Sequence, residues 1–167
     1  MYGRGHRFWG LMITPFQFAR LARRHAASWR RARGKQMQSK VHNPTAWLQG
    51  FGLNHAVEVQ GATRTLYLSG QTATDADGHA MHAGDIVAQY KLDWQNLVDA
   101  LDSAGMTPQN LVRLNFYTTD VDAFMASAEQ TMALHGAAGA QISATLLGVE
   151  RLFDPDIMIE IEGTAVA

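Results

Sequence analysis

The sequence predicts an α+β domain, two helices packed on one mixed sheet in the order ββαβαββ. Three observations predict it: short segments that alternate apolar and polar residues, two longer segments with apolar residues at helical spacing, and Gly, Pro and Asp punctuating the gaps. Ala56–Gln60 (AVEVQ) and Thr65–Ser69 (TLYLS) alternate on either side of Gly61-Ala62-Thr63-Arg64, the pattern of a hairpin. Asp75-Ala76-Asp77-Gly78 reads as a loop. Asp85 is placed to cap a helix whose stripe runs Ile86, Tyr90, Leu97 and Leu101, widened by Val87, Trp94 and Val98. Gly105 and Pro108 mark its end. Val112, Leu114 and Phe116 then alternate with Arg113, Asn115 and Tyr117, as in a half-buried strand. Asp120 is placed to cap a second helix, with Val121, Phe124, Met125, Ala128, Met132 and Leu134 on its apolar side and Gly136 and Gly139 at its end. Two closing strands fall at about Ser143–Val149 and Ile157–Ala165.

At 167 residues the chain has room for one ordinary domain with a real core. It contains no cysteine, which excludes disulfides, a thiol nucleophile and thiolate-held metals. That fits a reducing compartment, and a cytoplasmic location is expected. The net charge of −1 conceals a sharp division. Met1–Gly50 holds ten Lys or Arg and no acid, while Phe51–Ala167 holds four Lys or Arg against all fifteen acids. A leader of about +10 therefore precedes a body of about −11. The boundary is placed at residue 42, with the folded domain over 43–167. The apolar stretch Phe8–Phe18 is interrupted by Pro15 and Gln17 and falls short of the roughly 20 residues a membrane span requires. It leads into Arg20, Arg23 and Arg24 rather than a small-residue cleavage site. The leader is read as lying outside the folded unit, as an unstructured tail or as the product of a start upstream of Met37. Organelle transit, or binding of RNA or anionic lipid through its charge, is the other reading.

Four segments of the body resemble the RidA/YjgF family, also labelled the L-PSP endoribonuclease family. They are Leu66-Tyr67-Leu68-Ser69-Gly70-Gln71 with the Asp75–Gly78 loop behind it; Gln89 with Asn96-Leu97, Leu101 and Ala104-Gly105; Val112–Asp120 with Phe124; and Ile159-Glu160-Ile161-Glu162. In this order and spacing they cover about three quarters of the chain. The resemblance implies a chorismate-mutase-like subunit of a homotrimer, with clefts between subunits. It implies hydrolysis of reactive imines and enamines to keto acids and ammonia, without a metal or organic cofactor.

It also implies where a site would lie. Glu160 matches the family's water-handling glutamate, while Ser69, Gly70 and Gln71 match a cleft-lining strand end. Three polar positions of the deaminase branch are changed. The carboxylate-gripping Arg falls on Ala144, the early Tyr on Leu53, and a helix Asn on Ala128. Thr145 and Leu146 stand beside Ala144. Without the Arg, a carboxylate contact of about 1.5–3 kcal/mol is missing, so the expected cleft is more apolar and suits a larger or uncharged small-molecule ligand. Alternation places Glu160 and Glu162 on one strand face and Ile157, Ile159 and Ile161 on the other. Glu162 is read as a solvated strand residue. His79 and His82 flank a loop with no matching carboxylate pair, so no metal site is expected. Two functions remain in view, a hydrolase acting on a C=N compound and a non-catalytic trimer that binds a small apolar molecule. RNA binding is disfavoured by the acidic body, since phosphate contacts need Lys and Arg. A membrane partner is not expected.

Overall fold

The computed structural model describes residues 37–167; the readings placed on residues 1–36 lie outside the described residues. Among the described residues the elements are β1 (Gln38–His42), a 3-10 turn (Trp47–Phe51), β2 (Ala56–Gln60), β3 (Thr65–Thr72), α1 (Ile86–Ser103), a second 3-10 turn (Pro108–Asn110), β4 (Leu111–Thr118), α2 (Val121–Ala126), α3 (Ala128–Ala137), β5 (Ser143–Gly148) and β6 (Ile159–Val166). The main sheet runs β3-β6-β4-β5. β6 is antiparallel to both its neighbours and β5 is parallel to β4, so the sheet is mixed as expected. The helices pack on one face of it. Tyr90, Leu97 and Leu101 of α1 meet Leu114, Phe116, Ile159 and Ile161 of the sheet in one core.

Local chemistry explains most of these elements. Asp85 caps α1 by accepting from the Ala88 N–H at 2.9 Å, and Asp120 caps α2 by accepting from the Ala123 N–H at 2.9 Å. Gly105 adopts φ 66° just beyond α1, a left-handed conformation that glycine takes without a Cβ clash. Buried Gln89 fills its hydrogen-bonding capacity across loops. Its Nε2 donates to the carbonyls of Asp156 (2.7 Å) and Met81 (3.2 Å), and its Oε1 accepts from the Met158 N–H (2.8 Å). Asn96 donates to the Thr72 carbonyl at 3.0 Å. These two residues tie α1 to the start of β6 and the end of β3.

The structure corrects three expectations. β2 and β3 do not form a hairpin with each other; β2 pairs with β1, and β3 pairs with β6. Alternation sets which face a strand buries, not which strand it pairs with. β3 places Leu66 and Leu68 opposite Ala165 and Gly163 within the core, whereas β1 and β2 are largely exposed. β1 also lies within the segment assigned to the leader, and the compact unit begins at Met37. Its sequence, QSKVH, has a single apolar residue, so no periodicity marks it. The third correction is that the second helix is two, α2 and α3, divided at Ser127. The Ser127 hydroxyl donates to the Phe124 carbonyl at 2.8 Å, and this local bond competes with continuation of the helix.

The core holds an imidazole beside a phenol. His135 stacks on Phe116 with centroids 5.7 Å apart and planes at 12°, and it shares a hydrogen bond with the Tyr90 hydroxyl. Burial lowers its pKa from 6.5 to about 4. The unfolded chain therefore takes up a proton between these values that the folded protein refuses. The stability it contributes is complete above pH 6.5 and is lost as pH falls through 4, about 3 kcal/mol in all. His135→Phe is expected to flatten this acid-side loss in urea unfolding measured between about pH 7 and about pH 4. The slope with pH is the readout, because the variant also leaves the Tyr90 hydroxyl without its partner. Identical slopes in the two proteins would refute the assignment.

Candidate functional site

The positions singled out in the sequence fall into two groups on opposite faces of the sheet. The first group lies at the β5 edge. Leu53, Ala128, Ala144 and Leu146 come together in one pocket of about 300 Å³, with Trp47, Phe51, Phe116, Phe124 and Met132 also in its walls. Each is placed by its element. Gly52, at φ 68°, closes the 3-10 turn, and the Leu53 N–H then donates to the Leu48 carbonyl at 3.2 Å. Asn54 fastens this segment beside β5 through its N–H to the Ile142 carbonyl at 2.9 Å. Ala128 and Met132 are one turn apart on α3. Ala144 and Leu146 are alternate residues of β5, opposite Leu114 and Phe116 of β4. The aromatic walls escaped the sequence reading because Trp47 and Phe51 sit in a turn with no strand or helix period.

The second group lies on the sheet face that, among the described residues, carries no helix. Glu160, Glu162 and Thr145 pair across the sheet with Tyr117, Asn115 and again Asn115. Thr145 faces away from Ala144 and Leu146, and Arg113 binds its hydroxyl. It is therefore not part of the apolar pocket. Between Leu68 and Gln71 the pairing of β3 with β6 is irregular, and Ser69 and Gly70 sit in this irregularity. The Gln71 side chain donates to the Ser69 carbonyl at 3.0 Å. Glu160 lies against Gly70 so closely that a Cβ there would be 1.7 Å from its Oε1. A side chain at 70 would thus displace the glutamate carboxylate from this position.

The two glutamates are chemically distinct. Glu162 Oε1 accepts from Asn115 Nδ2 and from the Tyr117 hydroxyl, each at 2.7 Å. These bonds hold its carboxyl below the usual range and anchor Glu162 on the open sheet face. Glu160 is raised, first by partial burial and then by the Glu162 charge. Two neighbouring carboxylates pushed apart in proton affinity can divide the work of acid–base chemistry. A third carboxyl, Asp93 on α1, escaped the sequence reading because it hides within an apolar helical stripe. It is fully buried, neither oxygen has a hydrogen-bond partner among the described residues, and burial together with the Glu160 charge raises its pKa from 3.8 to about 9. Asp93 is therefore a neutral carboxylic acid at neutral pH.

One loop differs from its reading. Asp75, Asp77 and His79 do bring ligand-type atoms within 4.8 Å of one another, all three residues being exposed. Asp75 is already engaged, accepting from the Asp77 and His79 N–H groups at 2.9 Å each, which closes the turn. Among the described residues no helix is long and apolar enough to cross a membrane.

Helices on one face of a mixed four-stranded sheet, with no helix on the other among the described residues, make this an α+β protein of the chorismate-mutase-like class. Residues 51–167 match the family model described as Endoribonuclease L-PSP, and no curated protein matches. The chain is similar to YyfB from Yersinia pestis, a Rid-family protein of unknown function, with 36% identity and a TM-score of 0.69 over 77% of this chain and 98% of that one. It is also similar to the YjgF gene product of E. coli, at 25% identity and TM-score 0.55 over 61% of this chain and 80% of the other. E. coli TdcF, solved with bound serine, shares the fold at 22% identity and TM-score 0.57, over 63% of this chain and 82% of that one. The chain belongs to this L-PSP endoribonuclease family, the Rid/YjgF proteins.

Proposed function

We propose that this protein is a RidA-type hydrolase of a reactive imine, enamine or related small C=N compound, a cytoplasmic enzyme that clears reactive intermediates without a cofactor. The observation that carries this reading is Glu160, half-buried on the open sheet face, raised in proton affinity and held beside the backbone at Gly70. Water adds to the imine carbon while the Glu160 carboxylate takes a proton from it, and the imine nitrogen is protonated as the C=N electrons move onto it. The resulting carbinolamine then collapses to a carbonyl compound and ammonia. Within one chain the apolar pocket and Glu160 lie on opposite sheet faces, so a second copy is needed to bring one against the other. A homotrimer with clefts between subunits meets that need.

A non-catalytic trimer that binds a small molecule is the second reading, favoured by pocket walls made of apolar residues. Nucleic-acid binding ranks below both, because the body from Phe51 carries four Lys or Arg against fifteen acids. The test uses the full chain. Imines are generated in situ by an amino-acid oxidase acting on amino acids from small to large, and keto-acid release is followed. Acceleration over the uncatalysed rate supports the hydrolase. No acceleration with any imine leaves the binder, and a monomeric mass by light scattering removes both cleft readings.

A further inference from the structure

The walls of the β5-edge pocket are Trp, Phe, Leu, Met and Ala, and among the described residues no Lys, Arg, His, Asp or Glu lines it. Its volume is about 300 Å³. An apolar cavity of about 150 Å³ stays dry and takes up benzene, so a space twice that size has room for a fused bicyclic ring. Aromatic rings also shape the entrance. Trp47, 65% exposed, meets Phe51 edge-to-face with centroids 6.3 Å apart, and His55 edge-to-face at 6.1 Å. Phe116 and Phe124 are buried with centroids 5.7 Å apart and contribute to the pocket wall from below. Such walls favour another ring through area burial and edge-to-face contacts.

The nearest guanidinium on these strands does not serve the pocket. Arg113 is committed on the opposite sheet face, to the Thr145 hydroxyl and to Asn115 Oδ1 at 3.0 Å. A carboxylate seated among these walls would lose its hydration and gain no charged side-chain donor from the described residues, a cost of several kcal/mol. We infer that the pocket seats an uncharged, apolar ring of about bicyclic size and discriminates against the carboxylate-bearing end of amino-acid-like molecules. This deepens the proposed function by naming the substrate class of the same site. It does not require turnover.

Indole and indole-3-acetate are the probes, titrated calorimetrically against the full-length wild type, Ala144→Met and Ala144→Arg. Thermal melts establish that each variant is folded. Indole is expected to bind saturably, and indole-3-acetate about tenfold or more weaker. Ala144→Met fills the space without charge and should weaken indole by about tenfold. Ala144→Arg should weaken indole similarly while reversing the preference toward indole-3-acetate. No saturable binding of indole to the folded wild type, as when a side chain of a second copy already fills the pocket, overturns the inference. So does equal binding of the two probes, or indole binding that ignores both substitutions. Because the readout is binding, imine turnover without indole uptake sinks this inference alone, and indole uptake without turnover sinks only the hydrolase.

Discussion

Glu160→Gln is expected to lower imine hydrolysis by about 100-fold or more while leaving the fold and the apolar pocket unchanged. Glutamine keeps the shape and removes the base. Within one chain Glu160 lies on the open sheet face, whereas Ala144 and Leu146 lie on the helix face, so the substitution leaves the pocket walls of its own chain unaltered. The pH profile carries the same signature. Burial and the Glu162 charge raise Glu160 above its ordinary value of 4.5. The base works only when ionised, so kcat/KM of the wild type should fall on the acid side with an apparent pKa above 4.5. Gly70→Ala is a companion variant. Its Cβ would occupy the place of Glu160 Oε1, the movable end of a flexible side chain. The carboxylate should swing away at little cost in stability, with a loss of turnover approaching that of Glu160→Gln. Full activity in either variant would remove Glu160 from the mechanism.

Asp93→Asn is expected to gain stability relative to the wild type as pH rises. The sign follows from proton binding. The folded carboxyl titrates at about 9, whereas the unfolded one titrates near 3.8. Its contribution is complete below pH 3.8 and is lost progressively up to 9, because the unfolded chain releases a proton that the fold retains. Asparagine has no such loss. The difference between the two proteins should therefore shift toward the variant by about 2–5 kcal/mol between about pH 4 and about pH 8. Calorimetric melting across that range would show it as a relative gain of about 5 °C or more. A difference that stays constant with pH would mean that water or a partner group reaches Asp93 and lets it ionise.

Periodicity and caps carried much of the architecture into the sequence. The α1 stripe, the Asp85 and Asp120 caps and the facing of Glu160 against Ile159 and Ile161 are all local consequences of helix and strand geometry. Strand pairing was not local. AVEVQ and TLYLS look alike as alternating segments, yet one joins an exposed two-stranded ribbon and the other enters the core beside β6. The break at Ser127 was likewise hidden, since the apolar spacing continues through it.

The candidate site divides along the same line. Residue types alone made the candidate pocket apolar, since Leu53, Ala128 and Ala144 bring no charge wherever they fold. Only the tertiary structure gathered them with Trp47 and Phe116 into one pocket, because residues far apart in sequence meet through packing rather than period. It alone separated Thr145 from Ala144 across the sheet, gave Glu162 its two donors and left Asp93 without one among the described residues. Hydrogen bonding and burial decide the proton affinity of a carboxyl, and both are properties of its surroundings, which no spacing of letters contains.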